Sequence, residues 1–209
     1  MKSLSIALGA AVLWIAIASP LSHLDHHLLT AHMVQHLLIM MVAAPLILLG
    51  ARSTVIRSRP HPVFCWLAGT LTVIVWHVPT VFEMALRSHW WHAFEQLTFF
   101  TAGILFWWPV IQRWLSVAKS TCWSVPVYLL LATLPCDALS AFLAFCGYVV
   151  YRPYLRGGEH FGLSPLADQA LAAALMWVAV TFAYLIPALV VTAKLLSSER
   201  KFVVQIGAC

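Results

Sequence analysis

Six apolar runs follow one another along this chain, at about 4–20, 27–50, 63–78, 92–111, 123–149 and 167–191, parted only by short polar breaks. A helix rises about 1.5 Å per residue, so roughly 20 apolar residues cross the hydrocarbon core of a bilayer. Breaks such as Arg57-Ser58-Arg59-Pro60-His61-Pro62 and Arg156-Gly157-Gly158-Glu159 carry the turn formers and charges that end such runs. With 62% hydrophobic residues, 9% charged and a mean hydropathy of +0.89, the chain has no polar block left from which to build a soluble domain. The expected fold is all-α, a polytopic transmembrane helical bundle of six spans, with residues 1–209 forming one integral membrane domain. Lys2, the apolar run behind it and Ala16-Ile17-Ala18 also fit a cleaved signal peptide. We expect the run to be kept as the first span.

Charge sets the expected orientation. With the amino terminus in the cytoplasm, Lys2, Arg52, Arg57, Arg59, Arg113, Lys119, Lys194, Arg200 and Lys201 fall inside, and only Arg87, Arg152 and Arg156 fall outside. Nine against three is a positive-inside bias, and it puts both termini in the cytoplasm. These cations flank spans beside an anionic leaflet, so the isoelectric point of about 9.1 asks for a lipid bilayer and not for nucleic acid.

That topology gathers the histidines. His23, His26, His27, His32, His36, His77, His89, His92 and His160 fall at or near the outer end of the bundle, and only His61 falls on the cytoplasmic side. Polar groups inside a membrane are costly, so they mark sites or pathways. His32 and His36 are four residues apart and share a helix face with Met40, while Met33 sits three residues before His36. Imidazole with thioether suits copper; calcium and magnesium want several oxygens, and structural zinc prefers cysteines. The bland alternative has the histidines bonding to neighbouring helices and the methionines filling gaps. Nearer the surface, His23, His26 and His27 read as an entrance.

Other polar groups lie at comparable depth. Glu95 and Gln96 follow His92, and Asp168 and Gln169 open the last run; carboxylates here could be ligands or could orient the imidazoles. Asp168 reads equally well as a helix-start acid. Pro135-Cys136-Asp137 lies near mid-membrane: Asp137 is a candidate relay or a neutral acid bonded to carbonyls freed by the proline, and Cys136 a soft ligand or packing. Cys65, Cys122 and Cys209 fall on the reducing side, and no C-x-x-C, phosphate-binding glycine loop or G-x-S-x-G occurs, so no enzymatic reaction is expected.

The segments Ala18-Ser19-Pro20-Leu21, Ala31-His32-Met33-Val34-Gln35-His36-Leu37-Leu38 and Ala44-Pro45-Leu46-Ile47-Leu48-Leu49-Gly50 resemble the CtaG family of cytochrome c oxidase assembly proteins. So do Trp76-His77-Val78-Pro79, His92-Ala93-Phe94-Glu95, Phe106-Trp107-Trp108-Pro109-Val110, Gly162-Leu163-Ser164-Pro165-Leu166-Ala167-Asp168-Gln169 and Met176-Trp177, in order over nearly the whole chain. The resemblance implies a multi-pass factor of the bacterial inner (plasma) membrane that helps copper reach a haem-copper oxidase. Its partners would be an oxidase subunit or assembly intermediate and a periplasmic copper donor. Carried over by position, the family's histidines fall on His32, His36, His77 and His92, with Met33, Glu95 and Asp168 beside them. Where a second histidine is expected after Glu95 the chain has Gln96, so a ligand is either missing or supplied by His89 or the 23–27 group. Two other functions stay open: electron transfer through a b-type haem between histidines such as His36 and His77, and transport of a metal or protons through the histidines and Asp137.

Overall fold

The computed structural model describes residues 2–51, 57, 60–115, 123–155 and 161–207. Arg52, Arg59, Lys119, Cys122, Arg156, His160 and Cys209, with the break at 156–159, lie outside the described residues, as do the side chains of Arg200 and Lys201. The rest is helical, with no strand among the described residues.

The first span joins α1 (Lys2–Ala18) to a single turn, α2 (Leu21–Leu24). The second runs as α3 (Leu29–Leu37), a π-helical stretch over Leu38–Ala43, and α4 (Ala44–Gly50). Next come α5 (Pro62–Trp76) and α6 (Pro79–Arg87), bent by 77° between them, then α7 (His89–Leu115) and α8 (Ser124–Phe145). A 3-10 turn at Arg152–Leu155 leads to α9 (Pro165–Gly207). Five helices are long and apolar enough to cross a membrane, and a sixth crossing forms if the bent pair is one span. The protein is therefore a multi-pass membrane protein.

Successive spans run antiparallel. Ile6 and the Lys2 carbonyl lie against Gly50, so the start of α1 meets the end of α4, and the Lys194 ammonium sits 4.2 Å above the Trp114 ring, pairing late α9 with the end of α7. At the other end, Tyr154 donates to the Asp25 carbonyl (2.6 Å) and Tyr151 to the His77 carbonyl (3.0 Å). Among the described histidines, His61, which precedes α5, is at the terminal end, whereas His23, His26, His27, His32, His36, His77, His89 and His92 lie toward the opposite one.

Two elements differ from the expected runs. The second run was expected to be one continuous α-helix, but the π stretch widens its turns, which alters the backbone hydrogen bonding there. The Met40 carbonyl accepts the indole N–H of Trp107 (3.1 Å), and Gly103 of α7 comes so close that a Cβ there would lie 3.1 Å from the Met40 Cα. The third run was expected to end at Val78. The helix α5 ends two residues earlier, at Trp76, and from Pro79 the chain continues as α6, an amphipathic helix laid across the end of the bundle with Phe82 and Ala85 buried. A proline cannot extend the preceding helix, and its fixed φ suits the first turn of the next.

Candidate metal centre

The centre draws on α3, α7 and the break before α3, and the ends of these elements are tied down by residues from other parts of the chain. The N-terminus of α3 leaves unsatisfied N–H groups in an apolar setting. Asp168 of α9 meets them: its carboxylate accepts from the backbone N–H of Leu29 (2.7 Å) and Thr30 (3.1 Å) and from the Thr30 hydroxyl (2.6 Å). Asp168 is thus a cap, on a neighbouring helix and not its own. Gln169 next to it donates to the carbonyls of Leu143 and Tyr148 and accepts from the Val150 N–H, which fixes the loop that delivers Tyr151 and Tyr154.

On this frame α3 presents His32 and His36 one turn apart, as their spacing predicts, with Nε2 atoms 2.8 Å from each other. Glu95 of α7 completes a triangle: its Oε1 lies 3.4 Å from His32 Nε2 and 3.3 Å from His36 Nε2. All three side chains are buried. His36 stacks on Phe99 (ring centroids 4.0 Å) and His32 packs on Phe82 (4.9 Å), so neither ring has room to turn away.

A second group shares His32. Asp25, in the break before α3, is fully buried, and its Oδ2 lies 3.5 Å from His92 Nε2, while Oδ1 lies 3.7 Å from His26. Neither Asp25 oxygen has a hydrogen-bond partner. Burial pushes this carboxyl above the ordinary carboxylate range, against the pull of His26 and His32. The same burial pushes the phenols of Tyr151 and Tyr154 up, so both stay protonated donors. His92 stacks parallel to His32 (5.6 Å) and takes a contact from the Gln96 amide (3.2 Å).

Ligand atoms of Asp25, His32 and His92, and likewise of His32, His36 and Glu95, all lie within 4.8 Å of one another. A triangle with edges of 2.8, 3.3 and 3.4 Å puts its corners about 1.8 Å from their common centre, so an ion with bonds of about 2.0–2.1 Å, as zinc makes to imidazole, reaches all three from just above the plane. Two imidazole nitrogens at 2.8 Å beside a buried carboxylate call for a shared proton or a cation, and the unpaired Asp25 oxygens call for the same. The donor set fits a metal ion.

The other candidates fall in distinct places. His77 does not join the triangle: its Nδ1 donates to the Val73 carbonyl (2.7 Å), its Nε2 has no partner, and with Met33, Met40 and Cys136 it lines a small cavity beside His36. Asp137 lies half-buried against Thr181 of α9 and is not among the residues lining that cavity. Of the entrance histidines, His26 reaches the group, its ring 5.2 Å from His92, whereas His23 and His27 are exposed. His89 packs on Trp90. Sequence reasoning missed Asp25, Phe82, Tyr151 and Tyr154. An acid inside a histidine-rich break was the one available signal, for Asp25.

No curated protein and no solved structure matches the chain. A family model, cytochrome c oxidase caa3 assembly factor, matches residues 2–198, and its span takes in every helix that builds the centre. The chain belongs to the family of cytochrome c oxidase caa3 assembly factors.

Proposed function

We propose that the protein serves oxidase assembly by holding copper as cargo at His32, His36 and Glu95, with His92 and Asp25 as the approach from the surface, and passing it to an oxidase subunit or assembly intermediate. The observation that carries this reading is the buried triangle, two imidazoles and one carboxylate at 2.8–3.4 Å. Imidazole suits copper, and geometry and availability select the metal more than raw affinity does. Asp25 adds a second set of carboxyl oxygens on the surface side of His32, so a cation moving inward from His26 meets oxygen donors in succession. The phenyl and phenol rings of Phe82, Tyr151 and Tyr154 exclude water and hold the His32 ring in place.

Among the described residues outside the site, Lys2, Arg57, Arg113 and Lys194 lie toward the terminal end and Arg87 and Arg152 toward the site end. The positive-inside rule then assigns the terminal end to the cytoplasm and the site to the periplasmic face of a bacterial inner membrane, where a periplasmic donor would load it. A b-type haem between His36 and His77 is less well supported, since the cavity both line is about 30 Å³ and cofactor sites run to about 300–1,000 Å³.

The test is the copper content and activity of the oxidase in membranes of a strain whose only copy carries His36→Ala. The expected result is an oxidase deficient in copper and activity, with the deficiency relieved by copper in the medium. An oxidase with its full copper content would overturn the proposal.

A further inference from the structure

Four of the chain's six methionines, Met33, Met40, Met41 and Met176, line one cavity of about 30 Å³ beside the triangle. Met84, on α6, is not among its lining residues. Cys136, His36 and His77 share the lining. Met33, His36, Leu37, Met40 and Met41 recur at intervals of three and four residues, which puts them on one face of the second span, while Cys136 comes from α8 and Met176 from α9. Three spans therefore bring sulfur-bearing residues to one cavity, and the end of α5 brings His77.

Methionine in a core is normally a gap filler, its unbranched side chain closing irregular space. Here the thioethers surround a gap that stays open. The space is large enough for one or two waters by volume, but water needs two to four polar partners, and the lining supplies few. A soft ion needs none of those. His77 is already set up as a ligand: donating Nδ1–H to Val73 fixes the tautomer and leaves the Nε2 lone pair without a partner in a buried side chain. Metal-bound histidines almost always make this second bond, often to a backbone carbonyl.

Thioether and imidazole are neutral. The cost of moving an ion into a poorly polarisable interior rises with the square of its charge, so a pocket of neutral donors favours a monovalent ion over a divalent one. Sulfur donors select the same species by softness, which among biological metals is cuprous copper.

We propose that this cavity is a second metal site, specific for cuprous ion and built from the thioethers of Met33, Met40 and Met176 and the His77 Nε2, with the neutral Cys136 thiol in its wall, separate from the imidazole–carboxylate triangle and adjoining it through His36. The site adds to the copper reading a store or exit on the membrane side of the triangle. It involves no change of oxidation state.

The experiment loads the purified full chain anaerobically with cuprous ion, measures affinity by competition with a cuprous chelator, and records sulfur scattering by X-ray absorption. Three proteins are compared: the wild type, Glu95→Gln, and a Met33→Leu, Met40→Leu, Met176→Leu triple variant, whose volume-conserving changes the core should tolerate. Copper–sulfur scattering is expected in the wild type and in Glu95→Gln, with a loss of tenfold or more in cuprous affinity and of the sulfur signal in the triple variant. A wild type with only nitrogen and oxygen neighbours overturns the proposal, whether or not the triple variant folds, and so does a folded triple variant with unchanged sulfur scattering. The two readings fail separately: sulfur scattering that survives while Glu95→Gln changes no other copper property removes the triangle, and a nitrogen–oxygen signal alone removes the second site.

Discussion

At 2.8 Å, two imidazole Nε2 atoms without a hydrogen between them would set lone pair against lone pair, so one of the two rings carries its hydrogen on Nε2 and donates it to the other until a metal takes both lone pairs. Loading should move that hydrogen to the ring's Nδ1, and because protons compete for the same nitrogens the affinity should fall as pH falls, measured by competition with a chelator at several pH values. An affinity independent of pH would show that the pair does not bind the ion. His32 and His36 were legible because the i, i+4 spacing that joins them lies inside one helix, before the π stretch begins. Asp25, Tyr151 and Tyr154 were not, because each reaches the site from a break between spans, where neither helical nor strand periodicity constrains a side chain. Asp168 was ambiguous for a different reason. A capping acid and a ligand acid look alike at a helix start, and only the position of α3 showed which donors it meets.

Among the elements, α3 depends on a cap supplied from elsewhere. Replacing Asp168 by alanine leaves the N–H groups of Leu29 and Thr30 unpaired in an apolar setting. The cost should be about 1–3 kcal/mol, seen as a lower thermal midpoint in detergent, with Asp168→Asn intermediate. An unchanged midpoint would mean that water replaces the cap. The π stretch makes a parallel demand on Gly103, where an added side chain meets the Met40 backbone and Ala44. Gly103→Val should destabilise by about 1–3 kcal/mol through overpacking, whereas Gly147→Ala, with nothing within 4 Å, should leave the midpoint where it is. Hydropathy locates a span without reporting such interruptions, because a widened turn is as apolar as a regular one. The same blindness hid α6: a bend of 77° at Pro79 and a half-polar helix across the bundle end leave only a fall in hydropathy.

For the whole molecule, the all-helical, multi-pass fold was legible because a bilayer tolerates few other solutions for a chain this apolar. The packing of spans against one another was not, since lipid-facing and helix-facing residues are equally apolar, so the pairing of Glu95 with His32 and His36 emerged only in three dimensions. The sidedness predicts that Arg87→Cys, at the site end, reacts with a membrane-impermeant maleimide in intact cells, while His61→Cys reacts only after permeabilisation, each read from its own peptide by mass spectrometry. The reverse pattern would place the site in the cytoplasm and end the case for a periplasmic donor. The central claim, that a buried imidazole–carboxylate triangle holds copper, is tested most directly by metal analysis and a visible spectrum of the purified wild-type and Glu95→Gln proteins side by side. The account predicts copper and no haem band in the wild type, and copper affinity weakened by at least about tenfold in Glu95→Gln, the scale on which even the outer partners of a metal site act. Equal copper in both proteins, or haem in place of copper, would contradict it.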